Sequence, residues 1–255
     1  MPTVETENLL GIPVAAVDLE ATTATLAEWL SESRKGYVSL ATAHGIQDAR
    51  ASDGAGRAFR AADLVVPDGM ALVWLLRMSG RQAAGRVYGP DLMMRLCERS
   101  LEPGWSHFFL GGSNQASELL VRRLSERFPG LRVAGTLSPR VGDRPEPENP
   151  VVDAINESGA EIVWVGLGSP KQDLWMSAYR DVLRAPVLIG VGAAFDFVAG
   201  TKPQAPRWVQ RSGFEWLHRW LSEPGRLTSR YAKYPAFVAV AGWELLRKRL
   251  GRIGP

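Results

Sequence analysis

The sequence is poor in the residues that build cross-links, metal sites and membrane spans. Its 255 residues contain one cysteine, Cys97, in an apolar helical pattern, so no disulfide can form within the chain. His44, His107 and His218 are far apart, and no zinc-type spacing occurs. No run of about 18 uncharged apolar residues is present, and residues 1–7 lack the basic and apolar regions of a signal peptide. We therefore expect no disulfide framework, no transmembrane helix and a reducing compartment.

Three nucleotide-related motifs are also missing. The chain has no Gly-x-Gly-x-x-Gly fingerprint and no Walker A sequence, which argues against a dinucleotide-dependent oxidoreductase and an ATPase. It has no Asp-x-Asp motif either, and sugar-nucleotide enzymes that hold a divalent cation often use one. We therefore predict no metal ligands and no cofactor: a diphosphate would be held by helix N-termini and basic side chains.

The charge is unevenly distributed although the net value is only +3. Residues 202–255 carry 11 Lys and Arg against 3 Glu, a net +8, whereas residues 1–201 carry 19 against 24, a net −5. The same C-terminal segment holds four of the nine tryptophans: Trp208, Trp216, Trp220 and Trp243. Such segments either meet anionic membranes or phosphates, or form a solvated basic helix that packs through its Trp face. A boundary is predicted near Gly200–Pro206.

Short apolar segments alternate with helical patterns along the chain. The predicted strands are Ile12–Asp18, Tyr37–Ala43, Leu64–Pro67, His107–Leu110, Leu131–Gly135, Ile162–Gly166 and Val187–Val191. The predicted helices include Thr22–Ser33, Ile46–Ala62, Asp91–Ser100, Ala116–Phe128, Pro150–Glu157 and Lys171–Leu183. This alternation predicts a Rossmann-like α/β fold, a mostly parallel sheet with helices on both faces. Ligands in such folds bind at the carboxyl ends of the strands.

Polar residues follow the predicted strands at these ends. Asp68 lies between Pro67 and Gly69 in a tight turn that directs its carboxylate outward. It is either a general base or a turn residue that bonds its own backbone. Thr42 either bonds a substrate or caps the helix that follows.

Glycine-rich turns follow three further strands. Gly111 and Gly112 open a predicted helix and could hold a nucleotide. Residues 166–173 read Gly-Leu-Gly-Ser-Pro-Lys-Gln-Asp, with Pro170 expected as the first helical residue. The positive end of that helix, with Lys171 and Gln172, suits a phosphorylated ligand, although an ordinary βα turn has the same pattern. Asp196 could bond a ribose or uracil, or cap a turn. Residues 137–149 form a Pro-rich loop that could act as a flap.

The combination of these segments resembles the WecG/TagA/CpsF glycosyltransferase family from about residue 10 to about 235. The matching segments are Thr42–His44, Ala62–Gly69, Gly89–Leu92, Phe109–Gly112, Val165–Asp173, Gly190–Asp196, Gly213–Arg219 and Glu223–Pro224. Their order and spacing make the resemblance specific, although each motif alone is not.

The resemblance implies an inverting glycosyltransferase. It would transfer an N-acetylmannosamine, its uronate or a related hexose from a UDP donor to a polyprenyl-diphosphate-linked saccharide. Asp68 matches the family's proposed base, Thr42 its partner near the acceptor, and Gln172 a pocket residue. His44, Gly111, Gly112, Gly168, Lys171 and Asp196 are the other expected substrate-binding residues, together with three C-terminal arginines, Arg219, Arg226 and Arg230.

The resemblance also gives the C-terminal segment a role. Residues 1–200 would form the catalytic domain, and residues 201–255 a basic appendage that docks on the bilayer and completes the active site. We therefore expect a cytoplasmic protein, peripheral on the inner face of the membrane, in exopolysaccharide or cell-envelope synthesis. No nucleic-acid partner is expected, and homo-oligomerisation is left open.

Four positions depart from the family pattern. His44 replaces Asn, Asp173 replaces Glu, Gln204 replaces Arg, and Ser229 stands where an arginine is frequent. The usual donor and acceptor therefore cannot be assumed. The alternative hypothesis is a catalytically inactive nucleotide-binding scaffold of a polysaccharide-assembly complex.

Overall fold

The computed structural model of the protein describes residues 4–139, 150–213, 215–222, 225, 228 and 234–251. An antiparallel hairpin, β1 (Thr6–Leu9) and β2 (Ile12–Ala15), comes first. The six strands of the main sheet are β3 (Gly36–Ala41), β4 (Leu64–Pro67), β5 (Ser106–Gly111), β6 (Arg132–Leu137), β7 (Ile162–Gly166) and β8 (Val187–Gly190). Every pairing in this sheet is parallel, in the order β4-β3-β8-β7-β5-β6. The predicted α/β fold class is confirmed.

Helices cover both faces of the sheet. Their bounds are α1 (Leu19–Ser31), α2 (Ala43–Ala51), α3 (Asp53–Ala61), α4 (Met70–Met78), α5 (Gly89–Arg99), α6 (Asn114–Arg127), α7 (Pro150–Ser158), α8 (Lys171–Tyr179), α9 (Ala194–Ala199), α10 (Arg207–Arg211), α11 (Glu215–Ser222) and α12 (Tyr234–Gly251). Along β7, Ile162 and Trp164 pack in the core beneath α1, α5, α6 and α9, whereas Val163 and Val165 pack beneath α7 and α8. Alternation along a strand buried on both faces explains its uninterrupted apolar sequence.

Three details differ from the predicted elements. The segment predicted as the strand Ile12–Asp18 belongs to the hairpin, not to the main sheet. The helix predicted at Ile46–Ala62 is two helices, because Ser52 adopts an extended conformation and its hydroxyl caps α3 at the Ala55 N–H. Pro170 is the N-cap of α8 rather than its first residue, so α8 begins at Lys171.

The last described helix packs on the rest of the protein. Phe237, Ala241 and Leu245 of α12 recur every four residues and are buried in one cluster with the hairpin, α2 and α4. This cluster joins residues from both ends of the chain. The boundary at residues 200 and 201 stays a prediction, as does the role of a membrane-docking appendage.

Within the described part of the chain, no helix is both long enough and apolar enough to cross a bilayer. The segment predicted as a flap falls mainly on residues 140–149, which lie outside the described residues.

Candidate active site

A cleft of about 490 Å³ lies at the carboxyl edge of the main sheet. Its walls come from the segments that follow β3, β4, β5, β7 and β8, and from residues 202–216. The central strands end at nearly the same level, because Gly111 pairs with Gly166 and Val165 pairs with Gly190. The loops that follow them therefore converge on one space, as expected for a parallel sheet.

Thr42 and Asp68 lie side by side on one wall, at the ends of the neighbouring strands β3 and β4. The Thr42 hydroxyl oxygen accepts a 3.0 Å hydrogen bond from the Gly45 N–H and caps α2. The Asp68 N–H donates to the Ala41 carbonyl at 2.9 Å, which holds the Asp68 turn against β3. Both residues line the cleft. The capping alternative for Thr42 is therefore correct, and its hydroxyl can still donate a hydrogen bond into the cleft.

Arg86 organises the same wall, and it is not among the residues predicted from the sequence. Its Nε donates to the Asp68 carbonyl at 2.6 Å, and its Nη2 lies 4.0 Å from Asp68 Oδ1. The same Nη2 is 2.5 Å from Glu215 Oε2, and the guanidinium stacks 4.1 Å above the ring centre of Tyr88. Arg86 stands only three residues before the recognised Gly89–Leu92 motif, and that position was the available signal.

Charge compensation keeps this buried cation stable. Burial alone would lower the pKa of Arg86, but the charges of Asp68 and Glu215 outweigh it and leave the pKa raised. The same cluster extends to Asp91, whose pKa is raised by burial against the opposing charges of Arg207 and Arg86. The wall around Asp68 is thus a network of compensated charges, not an isolated carboxylate.

Gln172 joins the two glycine-rich turns that follow β7 and β8. Its Oε1 accepts hydrogen bonds from the Gly168 N–H at 3.2 Å and the Gly192 N–H at 2.9 Å. Two backbone donors on one side-chain atom assign that atom as the carbonyl oxygen, so the amide nitrogen is the other terminal atom. Gln172 is 3% exposed, and it lines the cleft. Its side chain therefore holds the turn after β7 and the turn after β8 together.

The predicted glycines serve close packing as well as turn geometry. Gly111 has φ +111°, and a Cβ at this position would lie 2.7 Å from the carbonyl carbon of Gly166. Gly112 and Gly168 line the cleft, whereas Gly111 lies behind it, against β7. Gly111 therefore shapes the sheet edge, whereas Gly112 and Gly168 are placed to contact a ligand.

Lys171, Asp196 and Lys202 form a charged part of the cleft wall. Asp196 Oδ2 lies 2.8 Å from Lys202 Nζ, and its Oδ1 accepts a hydrogen bond from the Thr201 hydroxyl. Asp196 thereby fixes the segment that leads into the C-terminal helices. His44 lines the cleft from the first turn of α2, with its Nε2 3.1 Å from Asp48 Oδ2.

The C-terminal segment contributes directly to the cleft through Gln210, Gly213, Glu215 and Trp216. The residues predicted in this segment are instead three arginines. Arg219 belongs to α11, but its side chain is outside the described part of the structure, and Arg226 and Arg230 lie outside the described residues. Their proposed phosphate contacts stay predictions.

Among the described residues, no group of three or more His, Cys, Asp and Glu is arranged to hold a metal ion. The metal-free reaction stays a prediction.

The sequence model described as the Glycosyl transferase WecG/TagA/CpsF family matches residues 7–251. The chain belongs to this family. The WecG/TagA/CpsF match confirms the predicted resemblance and the predicted enzyme class, a glycosyltransferase. The matched region includes every cleft residue named above.

Two curated relatives carry the same name, N-acetylglucosaminyldiphosphoundecaprenol N-acetyl-beta-D-mannosaminyltransferase. The protein from Bacillus spizizenii (strain W23) is 31% identical over 177 residues, which are 69% of this chain and 67% of the relative. The protein from Bacillus subtilis (strain 168) is 27% identical over 164 residues, 64% of this chain and 62% of the relative. The chain therefore spans about two thirds of the length of each.

Proposed function

We propose that this WecG/TagA/CpsF glycosyltransferase transfers an N-acetylmannosamine-type sugar from a UDP donor to a polyprenyl-diphosphate-linked saccharide in cell-envelope polysaccharide synthesis. The names of the two relatives support the sugar and the GlcNAc-diphospholipid acceptor. The observation that carries the proposal is the convergence of Thr42, Asp68 and Gln172, from three different strand ends, on one cleft.

The reaction we propose is a single in-line displacement with inversion. Asp68 accepts the proton of the acceptor hydroxyl as the oxygen attacks the anomeric carbon, and the bond from that carbon to the UDP oxygen breaks. The electron pair of the broken bond leaves with UDP. Thr42, next to Asp68, is placed to orient the acceptor, and Arg86 holds the Asp68 backbone in position.

The leaving diphosphate requires positive charge on the other side of the sugar. Lys171 at the start of α8 and Lys202 both line the cleft there, and the nine-residue helix α8 adds its positive end. We propose that these groups, together with the C-terminal arginines, hold the diphosphate without a metal ion. Gln172 would keep the two turns at the spacing that the sugar requires.

A lipid-linked acceptor would bring the enzyme to the inner face of the membrane. The apolar side chains exposed on the described C-terminal helices and on α4 include those of Trp74, Met78, Trp208 and Trp243. Trp74 packs against Gly213, which lines the cleft, so apolar surface adjoins the site. We propose that these residues contact the bilayer and that the basic C-terminal segment attracts its anionic lipids.

The decisive experiment is a UDP-release screen. The full chain is incubated with individual UDP-sugars and a short-chain polyprenyl-diphosphate-GlcNAc acceptor, and the product is identified by mass spectrometry. We expect UDP-N-acetylmannosamine or a related donor to give acceptor-dependent UDP release that survives EDTA. Absence of transfer with every UDP-sugar would refute the donor class, and a metal-reversible loss would refute the metal-free site.

The role of Asp68 as the general base is tested with variants in the same transfer assay. Asp68→Asn should lower the transfer rate by about 10²–10⁴-fold while UDP binding survives, because the base acts on the acceptor. Asp153→Asn, an exposed carboxylate on α7, is the matched control and should retain activity. Unchanged turnover in Asp68→Asn would remove Asp68 from the mechanism.

A further inference from the structure

Asp173 is a completely buried carboxyl group next to the cleft, and the proposed reaction does not use it. Its exposed fraction is 0%, and it is not among the residues that line the cleft. Two hydroxyl groups donate to it: Ser39 to Oδ1 at 2.7 Å and Ser169 to Oδ2 at 2.6 Å. Both carboxyl oxygens are therefore engaged by short hydrogen bonds in a dry environment, where such bonds are strong.

The two donors come from elements that build different parts of the cleft. Ser39 belongs to β3 and precedes Thr42 by three residues, and it is itself fully buried. Ser169 lies in the turn after β7 and lines the cleft, close to Gly45 in the first turn of α2. Asp173 thus connects the strand that presents Thr42 with the turn that contains Gly168.

The neighbouring residue continues this connection. Gln172 precedes Asp173 in the first turn of α8, and its side chain holds the Gly168 and Gly192 N–H groups. Ser169, Gln172 and Asp173 therefore belong to one short segment, the turn after β7 and the start of α8, that side-chain hydrogen bonds hold in place. Its buried end is the Asp173 carboxyl group, and its exposed end is the cleft wall.

We infer that Asp173 is a positioning residue whose carboxylate fixes the turn after β7, and with it Gln172, in the conformation that binds the sugar nucleotide. The inference extends the proposed function to a residue that touches no substrate. An ionised carboxylate accepts from both serines at once. A protonated carboxyl group must itself donate one hydrogen bond, so one of the two serine contacts is lost or reversed.

The protonation state of this group changes within a physiological pH range. Burial raises the pKa of Asp173 to about 6, against the opposing effects of the Ser169, Ser39 and backbone hydrogen bonds. We therefore expect the hydrogen bonding between Asp173 and the turn to change as the pH falls below about 6.

Few other ionisable groups face Asp173. Helix α8 packs against α3, β3, β7 and β8. Strands β7 and β8 contain no ionisable side chain, and α3 places Asp53, Arg57 and Arg60 at the surface. On β3 the titratable group is Tyr37, whose pKa is raised to about 12, mainly by burial and partly by the charge of Asp173. Lys171 on α8 itself and His44 on the neighbouring helix α2 line the cleft.

The test that needs no substrate is an NMR titration of the full chain between pH 5 and pH 8. In the wild type, the amide signals of Gly168 and Gly192 should shift with a midpoint near pH 6. Asp173→Asn should abolish this titration. Ser39→Ala should raise the midpoint by about half a pH unit or more, because one hydrogen bond that favours the carboxylate is lost. Ser169→Ala should act in the same direction.

Ser39→Ala is the sharpest variant, because Ser39 is buried in β3 and outside the cleft. If Asp173 did not act on the turn, the Gly168 and Gly192 amide signals would not follow its titration. His44→Asn provides the control for the nearby histidine and should leave the midpoint in place. A titration that persists in Asp173→Asn, or a midpoint unchanged in both serine variants, would overturn the inference. If Asp173→Asn does not fold, the serine variants decide.

The kinetic arm uses the transfer assay. The transfer rate of the wild type should fall below about pH 6, and Ser39→Ala should move this acidic limb to higher pH. At pH 7.5, Asp173→Asn should lower kcat by about tenfold through misplacement of the turn, and Asp173→Glu, which keeps the charge, should recover part of it. An acidic limb at the same pH in Ser39→Ala contradicts the inference. If no transfer is found at all, the proposed function fails, and the NMR titration still decides the role of Asp173.

Discussion

Arg86 and Glu215 form a short ion pair, 2.5 Å between Nη2 and Oε2, that joins the wall around Asp68 to the first residue of α11. Their side chains are only 16% and 12% exposed. Arg86 also donates to the backbone carbonyls of Asp68 and Gln210, so a single guanidinium connects three segments of the cleft. The position of the C-terminal helices is therefore coupled to the position of Asp68.

Glu215→Gln should weaken this coupling. Removal of one charge leaves the buried guanidinium undercompensated, and we expect a loss of about 1–3 kcal/mol in the free energy of unfolding together with reduced sugar transfer. Urea denaturation and the transfer assay measure the two effects. Glu102→Gln, at an exposed position, is the control. Equal stability of the two variants would show that the pair contributes nothing.

Gly111→Ala should strongly destabilise the protein because a Cβ at this position would collide with β7. Gly130→Ala, which lacks such a collision, separates this effect from the cost of the backbone conformation. Gly111 and Gly130 both have positive φ, +111° and +94°, but only at Gly111 would a Cβ meet other atoms, at 2.7 Å from Gly166. Gly130→Ala should cost about 1–2 kcal/mol for the left-handed backbone. Gly111→Ala should cost about 1–3 kcal/mol more, because β5 and β7 must separate. Urea denaturation compares them, and equal losses would contradict the packing argument.

The double variant Trp208→Ala and Trp243→Ala tests the proposed bilayer contact. These side chains are 74% and 71% exposed, so their removal should leave the fold intact. We expect binding to vesicles that contain phosphatidylglycerol to weaken by about tenfold or more in co-sedimentation. Val182→Ala, which removes an exposed apolar residue on another part of the surface, is the control. Unchanged vesicle binding would exclude these two tryptophans from the contact.

Asp173 should also make stability depend on pH. Its pKa is raised from the ordinary 3.8 to about 6 in the folded protein, so the folded state binds the proton more tightly than the unfolded chain does. The stabilising contribution of the protonated group is fully present below about pH 4 and is lost as the pH rises through about 6. The stability of Asp173→Asn relative to the wild type should therefore increase from pH 4.5 to pH 7.5 in urea denaturation. A constant difference would show that the pKa of Asp173 is not raised.

Local patterns accounted for the strands well and for the interruptions of helices less well. Leu64–Pro67 and Ile162–Gly166 coincide with β4 and β7, because buried strands are short, apolar and bounded by turn residues. The break between α2 and α3 at Ser52 was missed, because the apolar positions continue across it and only one extended residue separates the helices. The hairpin strand β2 was assigned to the main sheet, because strand patterns do not identify the pairing partner.

The residues of the candidate site were likewise predicted only where a local pattern marked them. Thr42, Asp68 and Gln172 were found because each follows a recognisable strand, and ligands bind at strand ends in this fold. Arg86 lies on an irregular segment, where no periodic pattern marks a functional residue.

The sequence by itself determined the α/β class, the edge of the sheet where the cleft forms and the glycosyltransferase family, because strand ends, glycine turns and motif order are local properties. Only the tertiary structure decided how the walls are held together. Glu215 lies 129 residues from Arg86, and Asp173 lies 134 residues from Ser39. Contacts over such distances depend on how the parallel strands are ordered in the sheet, and no local pattern encodes that order. In the sequence, Asp173 is only a departure from a family motif. In the structure, it is the buried residue that links β3 to the turn after β7.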